Sequence, residues 1–106
     1  MAWIILASAG ILEIGFALGM SWSAGFTRLI PSLFTAACGL SSVVLLSQAL
    51  RSLPVGTGYA VWTGIGAAGT AILGIAVQGD SASPARVLCI VFIVGGVIGL
   101  KLVSPN

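Results

Sequence analysis

The sequence predicts an all-α integral membrane protein with four transmembrane helices, and three observations carry that reading. Charged residues make up only 6% of the 106 positions, against 58% hydrophobic. A soluble domain carries about 25% charged residues because its surface must face water. A water-soluble globule is therefore excluded, and so is a disordered chain, which needs polarity. The apolar residues also fall into four runs, each close to the roughly 20 residues one helix needs to cross a bilayer. Four such helices use about 80 residues and leave about 26 for loops and ends, so no room remains for a soluble domain. Finally, backbone polar groups in lipid must be paired within the span, which makes runs of this length helices.

The chain reads as one transmembrane domain, 1–106, with spans at about 2–19, 29–50, 59–77 and 86–103. The first span carries Glu13 inside its apolar stretch and lacks a basic leading region, so it reads as a retained span and not as a cleavable signal. Its Gly15 and Gly19 form a small-xxx-small edge that permits close helix approach, and the polar stretch from Ser21 to Gly25 ends it. Pro31 falls in the first turn of the second span, where its missing N–H costs nothing. Arg51, Ser52, Pro54 and Gly56 mark the next turn. The third span holds Gly64, Gly66, Gly69 and Gly74, a thin helix suited to bending or to tight packing. Gly79-Asp80 to Pro84 form the last break. In the fourth span Gly95, Gly96 and Gly99 include a Gly-xxx-Gly spacing, a helix-association signal, so this span reads as the oligomerisation helix.

The charges set the topology. An even number of spans places both termini and the 51–58 loop on one side, and the 20–28 and 78–86 loops on the other. Arg51 and Lys101 then oppose Arg28 and Arg86, two against two. Orientation follows the Lys/Arg excess of short loops, and here no excess exists. The balance permits insertion both ways round and pairing of opposed copies. A small bias, such as the N-terminal amine, would instead fix one orientation.

Several function classes drop out. The net charge of +2 is dispersed, with no basic patch for nucleic acid. Histidine is absent, which excludes histidine catalysis and ligation. Cys38 and Cys89 lie in apolar runs without a CxxC pair and read as small buried hydrophobes, so no metal site and no cofactor is expected. No nucleophile–base pair points to an enzyme. A channel would need a continuous polar stripe, and only Glu13, Ser41, Ser42 and scattered threonines are available.

Glu13 is the one acidic residue inside a span. It lies about eleven residues into the first helix, or about 16 Å at 1.5 Å per residue, near the bilayer midplane. A charge there costs at least a few kcal/mol, so an ionisable group at that depth is a functional candidate by default. A carboxyl that can take either a proton or a cation is the chemistry of proton-coupled cation exchange, with the proton as coupling ion. A permanently protonated Glu13 holding helices together is the alternative. Gly10 leaves space beside it. Ser41 and Ser42 are mid-span hydroxyls able to donate to the carboxylate or to bond back to their own helix. Tyr59 and Trp62 share a helix face, with Thr63 beside them. Their rings suit an organic cation and equally an interfacial aromatic belt, as do Trp3 and Trp22. One glutamate in four thin helices encloses a site poorly. The exchange reading therefore needs a dimer that brings two Glu13 side chains together.

Three stretches, Gly25-Phe-Thr-Arg-Leu-Ile-Pro-Ser32, Leu53-Pro-Val-Gly-Thr57 and Tyr59-Ala-Val-Trp-Thr-Gly-Ile-Gly66, resemble the small multidrug resistance transporters over essentially the whole chain. The resemblance implies an antiparallel, dual-topology homodimer in the inner (plasma) membrane. It implies that Glu13 of both subunits binds proton and cation in competition, that Tyr59 and Trp62 line the site, and that helix four, with Gly95, Gly96 and Gly99, forms the dimer seam. The run from Trp62 to Ala67 and the ending Gly99-Leu-Lys101 look like the guanidinium-exporter branch. In that branch Ser42 and a tryptophan of the first helix hold the glutamate. Here Phe16 stands at the tryptophan position and Met20 where a lysine is expected. Phe16 cannot donate a hydrogen bond, so the site becomes more apolar. The expected substrates are guanidinium or substituted guanidinium compounds, with lipophilic quaternary ammonium cations, or a subunit of a hetero-pair, as the alternatives.

Overall fold

Helix α1 spans Ala2–Trp22, α2 Leu29–Ala49, α3 Val55–Gln78 and α4 Pro84–Val103, in a computed structural model that describes residues 1–103. All four are long and apolar enough to cross a membrane, and the described residues contain no strand.

The ends of the helices differ from the sequence expectation for local reasons. Helix α1 runs on through Met20, Ser21 and Trp22. The chain turns only at Ala24, Gly25 and Phe26, which have φ of 51°, 76° and 64°. Two non-glycine residues in the left-handed region cost about 1–2 kcal/mol each. Buried Ser23 offsets part of this cost: its hydroxyl donates to the Met20 carbonyl at 2.8 Å and accepts from the Phe26 N–H at 3.0 Å. Helix α3 begins at Val55 behind Pro54, one turn before Tyr59, so Gly56 and Gly58 are helical and not turn residues. Its end is a left-handed Gly79 at φ 71°, the conformation glycine adopts without a Cβ penalty. Pro84 opens α4 in a first-turn position that suits it, and the Ser83 hydroxyl accepts the Arg86 N–H at 3.3 Å.

Helix α1 is the centre of the fold. It packs along α2 and α3, which barely meet each other, while α4 leans on α3. The main cluster is Leu6, Ala9, Leu46, Ala49, Leu53 and Val61, gathered where α1 begins and α2 turns into α3. Helix α4 buries only Ile90. Lipid tails are as apolar as leucine, so close packing and interhelical hydrogen bonds, not hydrophobic burial, hold such helices together. One hydrogen-bonded chain joins three of them. The Trp62 Nε1–H of α3 donates to the Ser42 hydroxyl of α2 at 2.9 Å, and that hydroxyl donates to the Ala9 carbonyl of α1 at 2.7 Å.

The two ends are chemically distinct. Lys101 Nζ sits 5.2 Å from the centroid of the Trp3 ring, which brings the end of α4 to the start of α1. At the opposite end Arg86 pairs with Asp80 at 3.6 Å. The Cα positions extend 43 × 34 × 17 Å. The helices, of 20 to 24 residues, are about 30–36 Å long at 1.5 Å per residue, enough to cross a hydrocarbon core of about 30 Å. The short dimension is that of about two packed helix layers, whose axes lie about 8–10 Å apart, so the chain is a slab.

Candidate functional site

Glu13 leaves the middle of α1 toward α3, and its Oε1 is buried with no hydrogen-bond partner. It can lie there because residue 66 is glycine: any Cβ at that position would overlap Oε1. The four basic residues lie at or beyond helix ends, and the one ion pair among the described residues joins Asp80 to Arg86. The carboxyl is thus held at mid-helix without a counter-charge.

Two cavities meet at this side chain, and Glu13 and Phe16 belong to both. The first, about 430 Å³ and lying toward α2, is bounded by Glu13, Phe16, Leu40, Ser42, Val43 and Trp62. Its walls are apolar and aromatic apart from the carboxyl and one hydroxyl. The second, about 250 Å³ and lying toward α3, is bounded by Glu13, Phe16, Met20, Thr63, Gly66 and Thr70 among others. Phe16 reaches its place because α2 carries Gly39 opposite, where a Cβ would come within 2.6 Å of the ring.

The other candidates fall in three groups. Ser42 borders the first cavity, but its single O–H is spent on the Ala9 carbonyl. The expected donation to Glu13 is therefore not made, and Ser42 instead accepts the indole N–H and fixes the Trp62 ring. Trp62 borders the first cavity and Thr63 the second. Tyr59 packs against Trp62 in a tilted contact, with centroids 5.4 Å apart at 50°, yet it is 56% exposed and borders neither cavity. Ser41 is exposed and faces a separate hollow with Leu40, Val44 and Leu45, away from Glu13. Adjacent helix positions point about 100° apart, so only one of the two serines can face α1. Gly10 borders neither cavity either, because Ile65 fills the space above it, 2.6 Å from where its Cβ would stand. It is a helix-packing position. Gly95, Gly96 and Gly99 have nothing within 4 Å of a would-be Cβ and lie open on α4.

Two residues at the carboxyl were not singled out from sequence as parts of the site. From the sequence, Gly66 reads only as one glycine of a thin helix. Thr70, whose Oγ1 is buried without a partner, borders the second cavity. The signal was available: Thr63, Gly66 and Thr70 recur at i, i+3 and i+7, one face of a helix.

The profile of the Small Multidrug Resistance protein family matches residues 1–93. The chain is 58% identical over 102 residues to a guanidinium exporter of Citrobacter freundii, covering 96% of this chain and 97% of that one. It is 59% identical over 104 residues to a guanidinium exporter of Yersinia pseudotuberculosis, covering 98% and 100%.

Proposed function

The chain belongs to the small multidrug resistance family and is a multi-pass inner-membrane protein, and from that premise we propose that it exports guanidinium or substituted guanidinium cations in exchange for protons. The observation that carries the reading is the Glu13 side chain, held at mid-helix without a counter-charge and bordering an aromatic-walled cavity. Ionised, it attracts a cation in a medium where charge is weakly screened. Guanidinium is planar and presents paired N–H donors that fit the two carboxylate oxygens, and the Trp62 face adds cation–π attraction. Protonated, the same group loses its hold. Proton and cation therefore exclude one another at one side chain, and that exclusion couples their movements in opposite directions. No cofactor enters this cycle; the protons of the two compartments drive it.

A second copy of the chain completes the site. Both cavities at Glu13 are open on one side, and four helices alone cannot shield a hydrated cation path from lipid. An antiparallel homodimer would supply a second Glu13 and bury the bare face of α4. The two-against-two charge balance supports opposed insertion, and the open glycines of α4 support a seam there. Exchange between two equivalent arrangements of the pair then exposes the site to each side in turn. The function is transport, not catalysis.

Phe16 supports a second reading. With Phe16 in the wall and the Ser42 hydroxyl directed elsewhere, the first cavity offers a cation one polar group and a mainly apolar surface, which also suits quaternary ammonium compounds. Transport currents from purified protein in liposomes separate the two. Guanidinium, a substituted guanidinium and a tetraalkylammonium are compared, with Glu13→Gln as control. Currents with the guanidines alone are expected, and a tetraalkylammonium current of equal size would favour the second reading. Silence with all three would overturn both and point to a missing partner chain.

A further inference from the structure

The side of α3 turned away from Glu13 floors two further hollows. The second Glu13 cavity meets α3 at Thr63, Gly66 and Thr70, one face of the helix. Val61, Ile65, Ile72 and Ile75 lie on the opposite face and border hollows that α3 shares with α4. The smaller, about 200 Å³, lies where α1 starts and α4 stops, closed by Trp3 and Ala7 and with Lys101 in its wall. The larger, about 600 Å³, exceeds either cavity at Glu13 and continues between α3 and Val87, Val91 and Val94 of α4. Ile98 borders both. On α4, Val87, Val91, Val94, Ile98 and Lys101 share one helix face, so the two hollows run in line along the helix pair.

Every wall residue of this groove is apolar or aromatic except Lys101. The Lys101 Nζ lies 5.2 Å from the Trp3 ring centroid, makes no ion pair among the described residues and carries three N–H donors. Trp3 stands in the first turn of α1 and Lys101 in the last turn of α4. Both are therefore at the membrane–water boundary, the level of lipid headgroups. From Lys101 to Val91 is ten residues, about 15 Å along the axis, which is one leaflet of a hydrocarbon core of about 30 Å. A cation at the boundary followed by an apolar trough one leaflet deep complements an amphiphile with an anionic head. A second copy that meets the Glu13 cavities lies against the other side of α3 and cannot also cover this one. Gly95 borders the larger hollow, whereas Gly96 and Gly99 face away from it and stay open for a seam.

We propose that this groove holds an anionic phospholipid, its phosphate on Lys101 and one acyl chain laid along α3 and α4 from Trp3 to Val91. The chain would pack against a helix that buries only Ile90 of its own residues and leans on α3 alone. In an opposed pair one such site faces each leaflet. The inference uses the exporter reading only for where the second copy sits.

Protein purified in a mild detergent is titrated with phosphatidylglycerol and with phosphatidylcholine of the same acyl chains, and bound lipid is counted by native mass spectrometry. A preference of about fivefold for phosphatidylglycerol is expected, the ratio that one lysine beside an anionic head supplies. Lys101→Gln should bring the two lipids to parity, and Lys101→Arg should keep the preference. Ile98→Trp sets a large ring between the two hollows and should weaken both lipids about tenfold, with the dimer intact by size-exclusion chromatography. Val94→Phe takes its place if that variant does not fold. Equal binding of the two lipids by the parental protein, or an unchanged preference in Lys101→Gln, would remove the headgroup contact and overturn the proposal. Unchanged binding in Ile98→Trp would place the lipid elsewhere, and a monomeric Ile98→Trp would mean that a second copy fills the groove; either result overturns it. The liposome currents that test the exporter reading do not enter these titrations, so the two can fail separately.

Discussion

At the scale of single residues, Glu13 and Gly66 act as one unit. The carboxyl needs a partner face with no side chain, and α3 supplies it at one position. Glu13→Gln is expected to abolish proton-coupled transport while the protein still assembles, checked by liposome currents alongside size-exclusion chromatography. Gly66→Ala forces the carboxyl aside. Overpacking of this kind costs about 1–3 kcal/mol, so transport should fall about tenfold while the helical content by circular dichroism stays the same. Phe16→Trp restores an N–H donor beside the carboxyl, and the ratio of guanidinium to tetraalkylammonium current should rise. An unchanged ratio would show that the position does not set selectivity. The carboxyl itself was legible in the sequence, since an acid in an apolar span is conspicuous. Gly66 and Thr70 were not, because their part depends on which face of α3 meets α1.

At the scale of helices, α1 carries the site and also ties the others together. The chain from Trp62 through Ser42 to the Ala9 carbonyl fixes α3 and α2 to α1 just before Glu13. Hydrogen bonds between membrane helices contribute about 0.6–2 kcal/mol each. Ser42→Ala breaks both and leaves the indole N–H without an acceptor. It should destabilise the folded protein by about 1–3 kcal/mol in a denaturation series and broaden the Trp62 fluorescence. Ser41→Ala should change neither. The sequence put the two serines on equal terms, since both lie mid-span. Rotation of α2 against α1 separated them. Helix ends differ from the sequence expectation where turn-forming residues sit inside a helix, as at Gly56, or where the break comes later than the first polar residue, as at Ser21.

At the scale of the whole molecule, a 17 Å slab with one bare helix asks for a partner. Helix α4 reaches α1 only at its end, where Lys101 lies over Trp3. That contact agrees with both termini lying on one side and leaves the open glycines of α4 on a free face. Two lysines added to the 20–28 loop should bias insertion and cut transport, with activity returning when a copy biased the other way is co-expressed. Full activity of the biased protein alone would argue against an opposed pair.

Composition and periodicity by themselves determined the four spans, the all-helical architecture and the presence of an ionisable group at mid-membrane. Lipid leaves a backbone few choices and makes an isolated carboxyl hard to overlook. Which hydroxyl serves the site, which glycine makes room for it and how the space around Glu13 is divided were decided only by tertiary structure. Those outcomes depend on the rotation of each helix about its own axis, and in a span that is apolar nearly all round no polar face in the sequence records that angle.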